Sequence, residues 1–345
     1  MKLLMITRKV DKNDALAGFT YNWVKKIGEN LDKLHVISWQ KGDSGDLPEN
    51  IEVIFLPENK FKKVLILQKH LLKILPQVDG VFCHMNPEYT ILAAPWAKFF
   101  RKRIVGWYTH KAVSWRRRLM EILADKIITA SAESFRKPFF PSNVKVIGHG
   151  INMDLFKPTI KTAKEKFRII SVGRISPTKD YESIIKALDL LNNKSVQLKI
   201  IGDVILAEQK SYLDQLKGMV EAMGLKDQVE FAGWVANKDV APYYQQADLF
   251  INMSGTGSLD KAVLEAMACE CLVLTSNEAF KDILPPELIV EKNNPEQLAK
   301  KIQLLMELPD DKKAKLRKQL REEVKNNHNL DNLVFKIIKQ FNGKK

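Results

Sequence analysis

The chain has 345 residues, 45% of them hydrophobic, which is enough for two domains with cores of ordinary size. No apolar run approaches the ~18 residues of a membrane span. The formal net charge of +14 is uneven, because residues 1–157 hold 26 Lys and Arg against 15 Asp and Glu.

Short apolar runs alternate with helical patterns along the whole chain, beginning with residues 1–8, which predict a buried strand rather than a signal peptide. Strands that alternate with helices are typical of parallel sheets covered on both faces. The chain is therefore predicted to be α/β, with two doubly wound Rossmann-like domains. The predicted strands are residues 3–6, 35–39, 51–56, 80–84, 103–108, 126–130, 144–147, 167–172, 196–201, 229–231, 249–252, 272–275 and 288–290.

The domain junction is predicted within residues 149–158, where a glycine follows a strand and the segment ends in Pro158. The end of the chain, residues 312–341, is predicted as a strongly charged helical segment. An apolar stripe with helical spacing lies on its last turns, and periodicity alone leaves open which domain it packs on. The stripe consists of Val334, Ile337, Ile338 and Phe341.

Cys83, Cys269 and Cys271 lie in apolar segments and lack metal-ligand spacing. We interpret them as reduced core residues of a cytoplasmic protein, and no metal site is predicted.

The most informative motif is residues 255–268, where a loop of small residues runs into a helix that carries Glu265 on an otherwise apolar surface. A buried strand precedes this loop. The first turn of a helix leaves N–H groups unpaired and carries a partial positive charge, so the motif predicts an anion site. Glu265 lies about two turns into the helix, within reach of hydroxyl groups attached to that anion.

A second candidate is the loop after the strand at 167–172, where Arg174 and Lys179 follow Gly173. An arginine fork and a lysine point charge suit a diphosphate, although both are equally compatible with surface cations near a turn. Ligands of open α/β sheets bind beyond the carboxyl ends of the strands. Because this loop and the 254–260 loop both leave the sheet at that edge, a shared site is favoured.

Weaker candidates lie in the first half of the chain. His110 ends a strand, and Gly18 belongs to a small-residue loop, 14–19, that would let a ligand approach the backbone. His84 and His149 also follow strands and are as easily explained as structural residues.

Three basic clusters stand in the first half, at 60–63, 101–103 and 116–118, the last two beside aromatic residues. They are either the solvated faces of ordinary helices or a surface that docks on anionic lipid or an anionic acceptor. Nucleic acid is disfavoured, because no recognised binding module is present.

Residues 167–203 and 233–276 resemble the C-terminal half of a family 4 glycosyltransferase of the GT-B fold. The similarity lies in the order and spacing of stretches over roughly a hundred residues, and the first half is similar more loosely. The matching stretches are Val172-Gly173-Arg174 with Lys179, Ile200-Ile201-Gly202-Asp203, Gly233-Trp234-Val235, residues 243–248 and Leu264-Glu265-Ala266-Met267-Ala268.

The resemblance implies two domains facing across a cleft. Residues 1–152 would form the acceptor-side domain, joined by a C-terminal crossover helix at 329–345, and residues 153–328 would form the donor domain. It further implies a hexosyltransferase that retains anomeric configuration and requires no metal or cofactor. Its partners would be a nucleotide-sugar donor and a glycan or lipid-linked acceptor, in the cytoplasm or on the inner face of the membrane.

The roles implied by the resemblance fall on individual residues. Arg174 and Lys179 would neutralise the leaving diphosphate, and His110 would lie near the transferred hexose. Glu265 would bind the ribose, while Trp234 and Val235 would lie along the base. The further donor-binding residues are Gly18, Gly257, Ser258, Leu259 and Asp260.

The chain also departs from the family pattern of Glu-x7-Glu, because the first glutamate position is Gly257. Asp260 would either replace that carboxylate or cap the following helix. Asp180 stands where the family commonly has glycine or another small or polar residue, and Lys111 replaces the usual partner of His110. These departures affect the sugar part of the predicted site more than the phosphate part.

A sugar transferase is the favoured function. A non-catalytic nucleotide-sugar or carbohydrate binding protein on the same fold is the alternative that Gly257 keeps open. A sugar-nucleotide epimerase is disfavoured because the matched motifs are those of transferases. A nicotinamide-dependent oxidoreductase is disfavoured because no Gly-x-Gly-x-x-Gly follows a strand.

Overall fold

The computed structural model describes residues 1–14, 18–160, 165–204, 209–255 and 257–342. The chain forms two compact units, the first made of residues 1–152 together with 329–345 and the second of residues 153–328. Each unit is an α/β sandwich built on one parallel sheet. In the described residues, no helix is both long and apolar enough to cross a membrane.

The first unit contains a seven-stranded sheet whose strands all pair in parallel. The strand order is β3-β2-β1-β4-β5-β6-β7, the order of a doubly wound dinucleotide-binding sheet extended by one edge strand. The switch point, where the winding reverses, lies between β1 and β4. The strands are β1 (Lys2–Lys9), β2 (Lys33–Gln40), β3 (Ile51–Phe55), β4 (Gly80–His84), β5 (Arg103–Trp107), β6 (Lys126–Thr129) and β7 (Val144–Val146).

Helices cover both faces of the first sheet. Alternate residues of β1 face opposite sides, and Leu4 and Ile6 belong to a core shared with α2, α3 and α4. The other face carries α1 and α11, which contact each other. The helices are α1 (Gly18–Gly28), α2 (Lys60–Ile74), α3 (Pro87–Phe99), α4 (Trp115–Leu123) and α11 (Leu330–Lys339).

The second unit repeats the winding with a five-stranded parallel sheet, in the order β10-β9-β8-β11-β12. Its switch point lies between β8 and β11. The strands are β8 (Phe167–Val172), β9 (Val196–Ile201), β10 (Val229–Gly233), β11 (Leu249–Asn252) and β12 (Leu272–Thr275). The helices are α5 (Tyr181–Leu191), α6 (Lys210–Ala222), α7 (Ala241–Gln246), α8 (Lys261–Ala268), α9 (Pro295–Glu307) and α10 (Asp310–Asn327).

One predicted strand is wrong. The predicted strand at 288–290 is a 3₁₀ turn, Pro286–Leu288, followed by an isolated bridge between Ile289 and Thr275. The helical segment predicted over 312–341 is divided between two helices, because the chain breaks after α10 and restarts at Asn329, whose side chain caps α11.

The C-terminal stripe packs within the first unit. Val334 and Ile337 of α11 are buried, and Phe341 lies against Gly80, where an added Cβ would approach its ring within 2.4 Å. The backbone N–H of Leu330 donates to the carbonyl of Ile151 over 2.9 Å.

Candidate functional site

The loops that follow β8 and β11 meet at the switch point of the second sheet. These strands are neighbours, and the N–H of Gly255 donates to the carbonyl of Thr178 over 3.1 Å. The switch point is where ligands of doubly wound sheets bind. The two loops singled out from the sequence therefore form one structure.

Two glycines allow the strand ends to lie close together at this edge. A Cβ on Gly202, after β9, would stand 1.8 Å from the carbonyl oxygen of Gly173, and Gly202 has a φ of +149°. Only glycine fits such an approach. The hydroxyl of Tyr181 donates to the same carbonyl over 3.1 Å, which fixes the start of the 173–180 loop.

Lys179 is largely enclosed by groups from the second loop. Its Nζ lies 3.0 and 3.1 Å from the two carboxylate oxygens of Asp260, and 3.3 Å from Oγ of Ser254. The side chains of Lys179 and Asp260 retain only 12% and 17% of their exposure. The lysine charge is thus compensated by a carboxylate of the protein itself.

Asp260 is held in that position from its other side. Nδ2 of Asn277, a buried residue after β12, donates to Oδ2 of Asp260 over 3.3 Å and to the carbonyl of Ser258 over 2.7 Å. Asp260 stands at the N-cap position of α8 but makes no capping hydrogen bond with its side chain. The alternative that Asp260 caps the helix is therefore wrong, because its carboxylate is committed to Lys179 and Asn277.

Arg174, in contrast to Lys179, is exposed and forms no ion pair with any residue that the structure describes. The first cation of the motif therefore presents an uncompensated guanidinium at the edge of the sheet. Asp180, at the end of the same loop, adopts a φ of +43° and accepts a hydrogen bond from the N–H of Ser183, which caps α5. Aspartate tolerates this left-handed conformation better than most residues, which explains how it stands at a common glycine position.

Gly257 also adopts the left-handed conformation, with a φ of +67°. A glutamate at this position would be strained, since side chains with a Cβ rarely occupy that region. The missing carboxylate of the motif is thus accompanied by a backbone that suits glycine. Ser258 is half-buried and Leu259 is buried, so both hold the loop against the second unit.

Glu265 is buried in α8 and accepts hydrogen bonds on both carboxylate oxygens. Nδ2 of Asn237 lies 3.0 Å from Oε1, and the hydroxyl of Tyr244 lies 3.2 Å from Oε2. Burial, together with the neighbouring Glu265 charge, raises the pKa of Tyr244 well above its usual value, so the phenol donates its proton. A carboxylate has about four acceptor positions, so Glu265 retains capacity for a ligand hydroxyl.

Lys261 begins α8, one turn before Glu265. Burial lowers the pKa of its ammonium group to about 8, and the Glu265 charge offsets part of that effect. A lysine in the first turn also opposes the helix dipole. This residue is therefore a titratable cation beside the predicted anion site.

Trp234 and Val235 follow β10 at the same edge of the sheet. The Trp234 side chain is exposed and Val235 is half-buried. An exposed indole at this edge of the sheet offers a face on which a planar base could stack.

The predicted residues of the first unit occupy the carboxyl edge of its own sheet. His110 is exposed beyond β5, and its Nδ1 accepts a hydrogen bond from the N–H of Ala112 over 3.1 Å. Gly18 is the buried first residue of α1, and residues 15–17 of its loop lie outside the described residues. His84 and His149 are buried in an aromatic cluster around Trp23, which supports the structural interpretation of both.

The basic cluster at 116–118 is paired with acidic side chains. Arg117 is fully buried, with Nε 3.2 Å from Oε1 of Glu121. Arg118 lies 3.2 Å from the same carboxylate, and the exposed Arg116 pairs with Glu88 over 3.0 Å. Each of the three charges therefore has an acidic partner, which favours the structural alternative over a docking surface for this cluster.

The three cysteines are free thiols buried in the two units. No group of three or more His, Cys, Asp or Glu that could hold a metal ion occurs among the described residues.

Sequence reasoning missed several polar residues of the second site, namely Asn237, Tyr244, Ser254, Lys261 and Asn277. Ser254 and Asn277 each lie two residues after the end of a strand, and a polar residue just beyond the carboxyl end of a buried strand is the signal that could have identified them. Asn237 and Tyr244 carry no such signal, since their role depends on tertiary contact with Glu265.

Comparison with known families gives one direct match to this unit. The family described as "Glycosyl transferases group 1" matches residues 152–327, just over half of the chain.

Individual relatives match over shorter segments. Mannosylfructose-phosphate synthase of Agrobacterium fabrum is 27% identical over 139 residues, which is 36% of this chain and 31% of that protein. Alpha-monoglucosyldiacylglycerol synthase of Streptococcus pneumoniae is 31% identical over 114 residues, which is 32% of this chain and 24% of that protein. The matches thus span about a quarter to a third of the length of these two curated relatives.

Similarity in structure extends over the whole chain. The crystal structure of Anabaena Alr3699/HepE in complex with UDP matches with a TM-score of 0.81 at 18% identity, covering 99% of both chains. A complex of the same Anabaena protein with UDP-glucose matches with a TM-score of 0.78, also at 18% identity and with 99% of both chains covered. At this level of identity the similarity establishes a shared fold.

Proposed function

The chain belongs to the family of group 1 glycosyl transferases, and from this premise we propose that it transfers a hexose-type sugar from a nucleotide-diphosphate donor to a glycan, lipid-linked or other acceptor. Retention of anomeric configuration, without a metal or cofactor, is part of the proposal and follows from the resemblance to family 4. The groups that bind the donor and promote the transfer are then side chains and backbone groups of the chain itself.

The observation that carries the proposal is the meeting of the 173–180 and 254–260 loops. Negative charge builds on the diphosphate as the sugar leaves, and groups that bind this charge more strongly in the transition state accelerate the reaction. Arg174 offers a guanidinium that has no acidic partner among the described residues, and α8 directs its first N–H groups to the same edge. Lys179 would join them once the diphosphate competes with Asp260 for its ammonium group.

The donor that we propose is a UDP-sugar. Support comes from the Anabaena neighbour, whose structures contain UDP or UDP-glucose. Glu265 would bind the ribose hydroxyls through its remaining acceptor positions, and Trp234 with Val235 would lie along the base. Gly18, Gly257, Ser258 and Leu259 would contribute backbone contacts to the donor, and His110 would lie near the hexose.

For the acceptor, the name of one relative, alpha-monoglucosyldiacylglycerol synthase, contains a glucosylated diacylglycerol, which makes a lipid acceptor one candidate. We place the reaction in the cytoplasm or on the inner face of the membrane, since three buried free thiols suit a reducing compartment.

The test combines donor binding with turnover. UDP, GDP and ADP sugars are compared by thermal shift, because a ligand that binds only the folded state raises the melting temperature. The preferred donor is then used to measure nucleotide release in the presence of candidate acceptors. Arg174→Ala is expected to lower turnover at least about a hundredfold without changing the melting temperature.

The matched control is Arg168→Ala. Arg168 is an exposed arginine that lies on the same strand, β8, but at the opposite edge of the sheet. Equal turnover in Arg174→Ala and Arg168→Ala would refute the proposed role of the switch-point loops.

A second candidate is a non-catalytic nucleotide-sugar binding protein. It is favoured by Gly257, whose left-handed backbone does not suit the expected glutamate, and by the internal neutralisation of Lys179. Tight binding of a UDP-sugar, with no nucleotide release in the presence of any acceptor tested, would select this function.

A further inference from the structure

Helix α2 exposes an apolar stripe on the side that faces away from its own sheet. Phe61, Leu65 and Leu72 are 85%, 71% and 42% exposed. Their spacing of four and seven residues keeps them on one side of the helix. The opposite side, with Leu67 and Leu71, is buried in the core. The stripe is therefore not needed for packing within the first unit.

Within the helix, the charged side chains that flank the stripe are lysines. Residues 60–74 contain five lysines and no Asp or Glu, and Lys60, Lys62, Lys69 and Lys73 are exposed. Lys63 is the exception among the five, since it is buried with its Nζ 5.2 Å from the Trp39 ring centre. Glu58 stands just before the helix, so the charge of the helix itself remains strongly positive.

The end of α3 continues this surface. The indole Nε1 of Trp96 donates to Oε1 of Gln68 over 2.6 Å and ties the two helices together. Both helices connect successive parallel strands, so they run in the same direction, and Leu72 and Phe99 each lie one turn beyond this contact. Phe99 is 72% exposed, and Lys98 and Arg101 beside it are exposed cations.

We propose that the outer face of α2, with the end of α3, docks the protein on an anionic lipid surface. An amphipathic helix with large apolar side chains between lysines lies in the membrane interface, where the side chains enter the acyl boundary and the lysines meet headgroup phosphates. A second copy of the chain would bring the same lysines against one another, so charge complementarity disfavours a self-association surface. The inference rests on exposure and charge in the first unit and does not depend on the transfer reaction.

The test measures how the full chain partitions onto vesicles. Flotation is compared on vesicles of phosphatidylcholine alone and on vesicles with an equal amount of phosphatidylglycerol. Binding is expected only to the anionic vesicles and is expected to fall as salt rises. Phe61→Ser with Leu65→Ser is expected to weaken partitioning about tenfold per residue, because each side chain loses its burial among acyl chains.

The charge contribution is tested separately with Lys62→Glu and Lys69→Glu. Each reversal removes one attraction and adds one repulsion, so the pair is expected to weaken binding by more than about tenfold. The matched charge control is Lys186→Glu with Lys217→Glu, two exposed lysines of the second unit. The matched apolar control is Phe335→Ser, because Phe335 is 69% exposed beside Lys336 and Lys339 on α11.

Three results would overturn the proposal. One is unchanged partitioning of the Phe61 and Leu65 double variant at an unchanged melting temperature. A second is an equal loss in the Phe335 or Lys186 controls. The third is a wild-type dimer in sedimentation that the double variant converts to a monomer while neither binds anionic vesicles, which would make the face a contact between two copies.

Discussion

The cluster on α4 and the switch-point site of the second unit both set cations against a carboxylate, with opposite consequences. On α4, Arg117 and Glu121 retain 0% and 1% of their side-chain exposure, so the pair is sealed in the protein. At the switch point, Lys179 and Asp260 remain partly open, and the nearby Arg174 has no acidic partner among the described residues.

Exposure, rather than the presence of a partner, therefore decides which cations can bind a ligand. A sealed pair cannot exchange its carboxylate for another anion, because breaking it leaves a buried charge uncompensated. A partly open pair can exchange, because solvent and ligand reach both groups. Substitutions in the buried pair on α4 should therefore lower the stability of the protein, whereas substitutions at the switch point should change ligand binding.

The largest effect is expected at the sealed pair. Glu121→Gln removes the charge that compensates Arg117, so the free energy of unfolding should fall by about 3–5 kcal/mol. The free energy of unfolding is measured by urea denaturation of the full chain, followed through the transition of the first unit. In the control, Glu88→Gln, the lost pair with Arg116 is exposed, and the change should be below about 1 kcal/mol. Similar losses in the two variants would invalidate the distinction between sealed and open pairs.

Glu265 extends the comparison to a buried carboxylate with neutral partners. Glu265→Gln replaces a charged acceptor of the proposed ribose hydroxyls and should weaken UDP binding by about thirtyfold, as expected for a lost hydrogen bond to a charged group. Calorimetric titration with UDP measures this change. Glu230→Gln, an exposed residue of β10 paired with Lys199, serves as the control. If Glu265→Gln bound UDP with wild-type affinity, the proposal that Glu265 binds the ribose would be wrong.

Much of the fold was predictable because the strands are continuous apolar runs. Strands β4, β8, β9, β11 and β12 have the bounds that the sequence predicts. The strand at 288–290 was mispredicted because three apolar residues satisfy the pattern, whereas Pro285 and Pro286 lead into a 3₁₀ turn.

The site residues that could be predicted are those that the local sequence marks, at the end of a strand or in the first turns of a helix. Arg174, Lys179 and Glu265 follow strands or enter a helix at recognisable spacings, and the structure brings their loops together. The pairing of Asp260 with Lys179 was not predictable, because the two residues lie 81 positions apart and meet only in the folded sheet. The burial of Arg117 was likewise hidden, although Glu121 four residues later is a signal that could have indicated it.

Asp260→Asn tests whether a diphosphate competes with Asp260 for the ammonium group of Lys179. Loss of the carboxylate frees the charge of Lys179 and removes a repulsion from the diphosphate, so UDP should bind about tenfold more tightly. If Asp260 also holds sugar hydroxyls, the gain should be smaller for a UDP-sugar than for UDP. The control is Asp227→Asn, an exposed carboxylate before β10 at the opposite edge of the sheet. Weaker UDP binding in Asp260→Asn would contradict the competition between carboxylate and diphosphate.

The smallest effect concerns Lys261, whose charge at the start of α8 depends on pH. Because burial lowers its pKa to about 8, the ammonium group is charged below that pH and becomes neutral above it. An anionic ligand binds the charged form more tightly, so UDP affinity should fall about fivefold between pH 7 and pH 9. Lys261→Met should show a flat profile over the same range by calorimetry. A fall of equal size in Lys261→Met would mean that another group causes it, and the switch-point site would then have no titratable cation in the first turn of its helix.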